Sequence, residues 1–342
     1  MNAVLQPPLH APADTLGRPL RDLRLSVIEA CNFRCPYCMP ADRVGDAHGL
    51  DTASRLDFDE IESLVRAFVR LGVRKLRLTG GEPLLRRGLP ELVRRLAAID
   101  GLEDLALTTN GSLLAAQARA LREAGLRRLT ISLDALDPAV FRAMSGGRGE
   151  VAAVLAGIAA AEAAGFAPLK INCVVQRGVN DDQVLPLAGH FRHSGHVLRF
   201  IEYMDVGTCN GWRAGDVVPA AELRARIHAR WPLRPLAPGY RGEVATRHAF
   251  VDGGGEIGFV SSVSAPFCGD CHRARVAADG TLYTCLFAST GTPLRPLLAL
   301  GEAGLAEAVA ARWSQRADRY SELRAARAPA PARRVEMFLV GG

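Results

Sequence analysis

The chain has 342 residues, 49% of them hydrophobic and 23% charged, a composition typical of a folded globular protein with one large or two smaller domains. Its formal net charge of +6 comes almost entirely from arginine. The arginines form no run of like charge and no patch interleaved with aromatic residues, so the sequence favours a small polyanion as ligand and no nucleic acid.

The N-terminal residues 1–15 are expected to form a flexible tail. They contain neither the charged region nor the apolar region of a signal peptide, so we expect a cytoplasmic protein. The most apolar stretch, 151–166, is mostly alanine and contains Glu162, which favours a buried helix and no membrane association.

Six strand-like runs alternate with helical segments in residues 16–230. Between the first two runs, Ile61, Leu64, Val65 and Phe68 form one apolar stripe of a helix. The alternation predicts a parallel sheet, and the polar residues and glycines at the strand ends favour a barrel over an open sheet. We therefore predict an α/β protein with a partial TIM-type barrel of six units. The predicted strands are 23–30, 75–80, 104–111, 128–135, 169–176 and 197–204.

The remaining residues, 231–342, have a different character. Prolines interrupt the chain after residue 231, and two runs, "EIGFVSSVS" and "GTLYTCLF", are typical of short antiparallel strands. An arginine- and alanine-rich helix is predicted over 303–327, before the closing "VEMFLVGG". We interpret this part as an extension of the barrel and not as an independent module.

Six of the eight cysteines fall into two groups of three, and groups of three at tight spacing suit metal binding better than disulfides. A structural zinc site uses four protein ligands, whereas a cubane iron–sulfur cluster held by three thiolates keeps one iron open. Cys173 and Cys209 are isolated and are expected to be packing residues. The N-terminal thiol group is Cys31, Cys35 and Cys38, and the C-terminal thiol group is Cys268, Cys271 and Cys285.

A cysteine loop after the first strand and "TGGEP" (79–83) after the second resemble the radical SAM superfamily. In that superfamily the open iron binds the amino and carboxylate groups of S-adenosylmethionine (SAM). Gly80 and Gly81 lack Cβ atoms, so the backbone can approach a ligand closely there.

A closer resemblance, over about residues 16–342, is to the GTP 3′,8-cyclase family, which begins molybdenum cofactor biosynthesis. Its fold is an incomplete (βα)6 barrel covered by a C-terminal extension with a second cluster. One departure is Glu29 in "VIEACNF", where the family often has "TD". The motifs are "GRPLRDLRLSV", "CNFRCPYCMP", "LRLTGGEPLLRR", "LTTNG", "ISLDALD", "GVNDDQ", "RFIEYMDVG", "FCGDCHRARV" and the final "GG".

This resemblance implies a radical SAM lyase with two [4Fe-4S] clusters and SAM. A 5′-deoxyadenosyl radical would take hydrogen from C3′ of GTP, and ring closure onto C8 would give (8S)-3′,8-cyclo-7,8-dihydroguanosine 5′-triphosphate. The radical is borne by the cofactor, so no catalytic acid or base is expected. The implied partners are GTP, an electron donor and cyclic pyranopterin monophosphate synthase, which would receive the product. The sequence leaves a homodimer open.

The resemblance also assigns site residues. The thiol groups would hold the clusters, and the closing Gly341 and Gly342 would enter the active site and activate it. The positions implied for SAM are Tyr37, Gly81, Ser132 and Met204. Those implied for GTP are Arg24, Lys75, Arg77, Thr108, Lys170, Arg199, Arg273, Ala274 and Arg275.

Two alternatives fit parts of the pattern. One is a radical SAM enzyme that modifies a peptide, although such enzymes usually carry more C-terminal cysteines. The other is a zinc-stabilised protein that binds nucleic acid, suggested by the basic charge.

Overall fold

The computed structural model describes residues 11–42, 51–324 and 334–341. The barrel strands are β1 (Asp22–Ser26), β2 (Lys75–Thr79), β3 (Asp104–Thr109), β4 (Arg128–Ser132), β5 (Lys170–Val175) and β6 (Val197–Glu202). They are followed by β7 (Leu233–Leu236), β8 (Thr246–Phe250), β9 (Glu256–Val260), β10 (Arg273–Val276), β11 (Thr281–Tyr283) and β12 (Thr292–Pro293).

The helices pack around these strands. Those of the first part are α1 (Phe58–Arg70), α2 (Leu89–Ala97), α3 (Leu114–Glu123), α4 (Pro138–Met144), α5 (Val151–Ala163), α6 (Val184–Phe191) and α7 (Ala220–Arg230). Those of the last part are α8 (Gly301–Ser314), α9 (Tyr320–Leu323) and α10 (Met337–Val340). Among the residues that the structure describes, no helix is long and apolar enough to cross a bilayer.

Strands β1 to β6 lie side by side in chain order and all run parallel, which confirms the predicted partial barrel. The C-terminal part adds a further parallel strand at each edge, β10 beside β1 and β9 beside β6. Two antiparallel extensions complete the sheet, β11 and β12 at one side and β8 and β7 at the other. The second part of the chain therefore continues the sheet of the first.

Helix α1 shows how the sequence places these elements. Asp57 and Glu60 form a capping box that satisfies backbone N–H groups at its N-terminus. The predicted stripe is buried, with Ile61, Leu64 and Phe68 each at most 1% exposed. Burying such a stripe against the sheet is the main stabilising contribution of an amphipathic helix.

The C-terminal helix is shorter than predicted, since α8 ends at Ser314 and helical structure resumes only at Tyr320. Arg316 lies in the interruption with its guanidinium buried, and it donates hydrogen bonds to Asp14 and to the carbonyl oxygens of Cys271 and Thr284. A buried charge must be paired, and Arg316 finds these partners at the point where the helix is interrupted.

Part of the N-terminal tail expected over 1–15, residues 1–10, lies outside the described residues. In the described part, Asp14 is buried and accepts hydrogen bonds from Arg18 and Arg316. The chain before β1 is thereby attached to the C-terminal part.

Candidate active site

A central cavity lies inside the partial barrel, beneath the C-terminal part. The empty space in this cavity, counted together with the open solvent at its mouth, is about 1530 Å³. Of the residues implied for GTP, Ala274 does not line it, because its side chain is buried on the opposite face of β10. The other eight line the cavity: Arg24, Lys75, Arg77, Thr108, Lys170, Arg199, Arg273 and Arg275.

Strand register brings these cations together. Arg24 of β1 is directly beside Arg77 of β2 and Arg275 of β10. Two residues earlier on the same strands, Lys75 and Arg273 are both in register with Asp22. Because side chains two residues apart share a face, both rows project into the barrel.

The positive charges are only partly compensated by neighbouring carboxylates. The pKa of Arg24 is lowered by burial and by the charges of Arg275 and Arg273. Burial, followed by the charges of Arg199, Arg128 and Arg77, lowers the pKa of Lys170 to about 7. Groups that repel one another in this way need an anion of several charges between them.

The C-terminal thiol group lines the same cavity, with Cys268, Cys271 and Cys285 all free. Burial raises the pKa of Cys271, but the charges of Arg273 and Arg316 outweigh it and hold the pKa at about 6. Arg273 also donates a hydrogen bond of 3.3 Å to the Cys271 sulfur. A thiol in this environment is a thiolate at neutral pH, the form that binds iron.

The N-terminal thiol group lies on the loop that follows β1. The backbone N–H groups of Cys38 and Met39 donate to the Cys35 carbonyl, which turns the chain between the second and third cysteines. All three are half-buried and free. Burial raises the pKa of Cys31 to about 11, so deprotonation of this thiol would have to accompany metal binding.

Each thiol group offers three sulfur ligands. Within residues 11–42, 51–324 and 334–341, no three Cys, His, Asp or Glu side chains are grouped so that they could hold a metal ion. Three thiolates without a fourth ligand suit a cubane cluster, which binds each thiolate through a separate iron atom and keeps one iron open.

Of the positions implied for SAM, Tyr37 is on the loop of the N-terminal thiol group, whereas Met204 lines the central cavity. Tyr37 donates a 2.8 Å hydrogen bond to Asp134, just beyond Ser132 at the end of β4. Met204 lines the cavity and accepts a 2.8 Å hydrogen bond from Ser262 at its sulfur.

Gly81 faces the backbone of the thiol-bearing loop. A Cβ atom there would overlap the carbonyl oxygens of Glu29 and Ala30. This close approach fixes the glycine loop against the chain that leads to Cys31.

The C-terminal segment (residues 334–341) ends inside the protein. Val340 is fully buried, and Arg275 donates hydrogen bonds to the carbonyl oxygens of Val340 and Gly341. Gly341 has φ +67°, and a Cβ atom on it would overlap the Thr79 side chain. Gly342 lies outside the described residues.

Two family models match the sequence, "Radical SAM superfamily" over residues 25–190 and "Molybdenum Cofactor Synthesis C" over residues 196–322. The chain is 72% identical over 332 residues to a protein of Xanthomonas campestris pv. campestris (strain 8004) named GTP 3′,8-cyclase, covering 96% of this chain and 97% of that relative. The chain belongs to the GTP 3′,8-cyclase family. A relative of the same name in Acidothermus cellulolyticus is 56% identical over 319 residues, which cover 91% of this chain and 88% of that relative.

Membership of this family confirms the assignment made from the motifs and sets both alternatives aside. Among solved structures, Streptococcus suis SuiB bound to precursor peptide SuiA aligns with a TM-score of 0.50 and 16% identity, over 62% of this chain and 45% of that one. At that identity the likeness concerns the fold alone.

Several residues that the motifs did not identify also line the cavity of this GTP 3′,8-cyclase family member, among them Arg128, Asn172, Tyr240 and Glu243. Arg128 and Asn172 are at barrel positions, and Asn172 has a buried carboxamide oxygen with no hydrogen-bond partner among the described residues. Alternation could have suggested Asn172, which is two residues from Lys170 on β5.

Tyr240 and Glu243 come from the loop between β7 and β8, a region with no motif. The Lys75 ammonium lies 3.5 Å from the centre of the Tyr240 ring. Glu243 is 3.8 Å from the Arg199 guanidinium and is its nearest acidic partner. No local sequence signal indicates that this loop reaches the cavity.

Proposed function

We propose that this protein catalyses the radical cyclisation of GTP between C3′ and C8, as the names of its relatives describe. The observation that carries the proposal is the central cavity, in which the C-terminal thiol group and a group of cations, only partly compensated by carboxylates, face one space. A nucleoside triphosphate supplies both a polyanion for the cations and a base that can reach the metal-binding thiols.

The cations would hold the triphosphate. Lys75, Arg77, Lys170 and Arg199 come from β2, β5 and β6 and converge on the cavity. Charge-assisted hydrogen bonds to phosphate are strong, and several rigid strands supply them here. Thr108 adds a hydroxyl, which accepts a 3.0 Å hydrogen bond from Arg77.

The base and ribose would lie towards β10 and the C-terminal thiol group. Arg24, Arg273 and Arg275 are close to one another there, and Ala274 would contribute backbone. We propose that Cys268, Cys271 and Cys285 hold a second [4Fe-4S] cluster whose open iron binds the guanine.

Cys31, Cys35 and Cys38 would hold the first [4Fe-4S] cluster, with SAM placed by Tyr37, Gly81, Ser132 and Met204. When bound, this cluster and SAM supply the radical that removes hydrogen from C3′ of GTP. The chain itself needs to supply position, charge and exclusion of water, since the radical chemistry is borne by the cofactor.

The proposal extends to organisation and partners. Residues 16–230 would be the radical SAM barrel and 231–342 the extension that carries the second cluster. An electron donor would reduce the first cluster in the cytoplasm, and the product would pass to cyclic pyranopterin monophosphate synthase. A homodimer is compatible with the proposal.

Anaerobic incubation of the reconstituted protein with SAM, dithionite and GTP tests this function. We expect about eight irons per chain, and 5′-deoxyadenosine together with a cyclised nucleotide. Cys173→Ala is a matched control, because Cys173 is buried in the core outside both thiol groups. Two results would refute the proposal. One is stoichiometric zinc without iron, and the other is SAM cleavage in the presence of GTP with no cyclised nucleotide formed.

A further inference from the structure

The loop that follows β6, residues 203–210 (the post-β6 loop), contacts both sides of the site. It begins beside Met204, and its Asn210 donates hydrogen bonds to the carbonyl oxygens of Met204 (3.0 Å) and Tyr37 (3.5 Å). The same loop binds the C-terminal segment through two carboxylate interactions. Those interactions have no role in the chemistry proposed above.

Asp205 makes the first of them. Its carboxylate is buried and accepts hydrogen bonds from the Tyr320 hydroxyl at 2.5 Å and from Arg324 at 2.9 and 3.0 Å. Arg334, at the start of the C-terminal segment, donates to the same carboxylate at 3.2 Å and to the Asp205 backbone oxygen at 2.8 Å. The Asp205 side chain thus holds both α9 with the residue after it and the first residue of the C-terminal segment.

Glu336 makes the second carboxylate interaction, in which the carboxylate belongs to the C-terminal segment and the donors belong to the post-β6 loop. Its carboxylate accepts hydrogen bonds from the Thr208 backbone N–H at 3.0 Å, the Thr208 hydroxyl at 2.7 Å and the Cys209 thiol at 2.9 Å. Gly207, with φ +73°, makes room for it, because a Cβ atom there would overlap the Glu336 carboxylate. Helix α10 begins directly after this contact, at Met337.

The other end of the segment is held by Arg275, whose guanidinium binds the carbonyl oxygens of Val340 and Gly341. The short helix α10 lies between the two attachments and packs on β1. A shift at Arg334 or Glu336 would therefore move Gly341 relative to Arg275.

We propose that Asp205 and Glu336 are positioning residues that set how far the C-terminal segment reaches into the active site. They act through Gly341 and Arg275, and they tie that reach to the loop carrying Met204. This inference rests on the proposed function of the cavity and on the proposed activating role of the closing glycines.

The substitutions Asp205→Asn and Glu336→Gln test the proposal, since each keeps the shape and removes the charge. Glu62→Gln is the control, because Glu62 also binds two arginines, Arg66 and Arg95, but lies on α1 outside the cavity. The first readout is the rate at which carboxypeptidase releases C-terminal residues from the cluster-loaded protein, without nucleotide.

We expect release to be about 10-fold faster or more in both variants, the usual value of a lost hydrogen bond to a charged group, and unchanged in the control. Equal release in all three proteins would overturn the proposal. This readout does not involve GTP, so it stands or fails independently of the proposed reaction.

The second readout is the amount of cyclised nucleotide per 5′-deoxyadenosine. We expect it to fall in both variants of the full chain, and to show no further fall when either substitution is made in a chain lacking Gly341 and Gly342. A purely structural role predicts the same proportional loss in both backgrounds, and that result would also overturn the proposal.

Discussion

Lys170 lies among like charges, and this gives the site a pH dependence. Burial and the charges of Arg199, Arg128 and Arg77 hold its pKa at about 7, while Glu243 acts in the opposite direction. Bound triphosphate would replace repulsion by attraction and raise that pKa. Above pH 7 binding must therefore take up a proton, so GTP affinity falls as the pH rises.

Calorimetric titration of the cluster-loaded protein with GTP, in two buffers of different ionisation heat, measures this proton uptake. We expect uptake to increase from about pH 6 to about pH 8 in the native protein and to disappear in Lys170→Arg, whose guanidinium stays protonated. Lys170→Ala should cost roughly 1.5–3 kcal/mol of GTP binding at pH 6. An affinity that is independent of pH would contradict the proposed role of Lys170.

Glu243 has the wrong charge for a triphosphate site. Its carboxylate lies beside Arg199 and accepts a 2.7 Å hydrogen bond from the Gly239 backbone N–H. Glu243→Gln keeps the shape and removes one negative charge facing the substrate. We expect GTP to bind about 3- to 10-fold more tightly, as roughly 1 kcal/mol of screened repulsion is lost.

An equilibrium binding measurement checks this expectation, with Glu222→Gln as control, since Glu222 pairs with Arg177 and Arg226 away from the cavity. Weaker binding in Glu243→Gln would mean that the carboxylate contacts the nucleotide directly, contrary to this prediction.

At the level of elements, the two thiol groups lie in loops next to neighbouring strands of one sheet. The N-terminal group follows β1, whereas Cys268 and Cys271 precede β10, which pairs with β1, and Cys285 follows β11. Their functions should be separable. Cys38→Ala should abolish SAM cleavage, whereas Cys285→Ala should leave some cleavage but no cyclised nucleotide, because only the second group faces the cations.

Chromatographic quantification of 5′-deoxyadenosine and nucleotide, with iron content measured for each variant, distinguishes these outcomes. SAM cleavage at the native rate in both variants would contradict the assignment of the N-terminal thiol group.

Much of the architecture could be predicted at this level. The barrel strands follow from their apolar runs, and each begins within one residue of the predicted position. Alternation placed Lys75 and Arg77 on one face. Register could not be predicted, because the alignment of Arg275, Arg24 and Arg77 depends on contacts between strands far apart in the chain.

For a similar reason, the sequence did not predict that the loop with Tyr240 and Glu243 lines the cavity. Its composition is that of an ordinary loop, and only packing of the C-terminal part brings it to the cavity. The interruption of the last helix depends on Arg316, whose partner Asp14 lies at the other end of the chain. Non-local pairing of this kind leaves no periodic pattern in the sequence.

For the molecule as a whole, one sheet joins the barrel and the extension. Strand β10 covers one edge of the barrel and β9 the other, so the two parts share hydrogen bonds along both edges. Exposed parallel edges are unfavourable, and the extension removes them while it carries the second thiol group to the cavity. The same arrangement directs the end of the chain back to β1 and β2.

We expect the end of the chain at Gly341 to be required for cyclisation. Gly341 occupies a left-handed conformation against Thr79, and its carbonyl accepts a hydrogen bond from Arg275. Gly341→Leu, or deletion of Gly341 and Gly342, should suppress cyclised nucleotide while iron content and the unfolding temperature stay unchanged, because only the terminal contacts are lost. A free peptide with the missing sequence should restore part of the activity of the truncated chain. Gly253→Ala is the control for conformation alone, as Gly253 has φ +81° and no neighbour within 4 Å of an added Cβ atom. Full cyclisation by the truncated protein would show that the chain end has no part in the reaction.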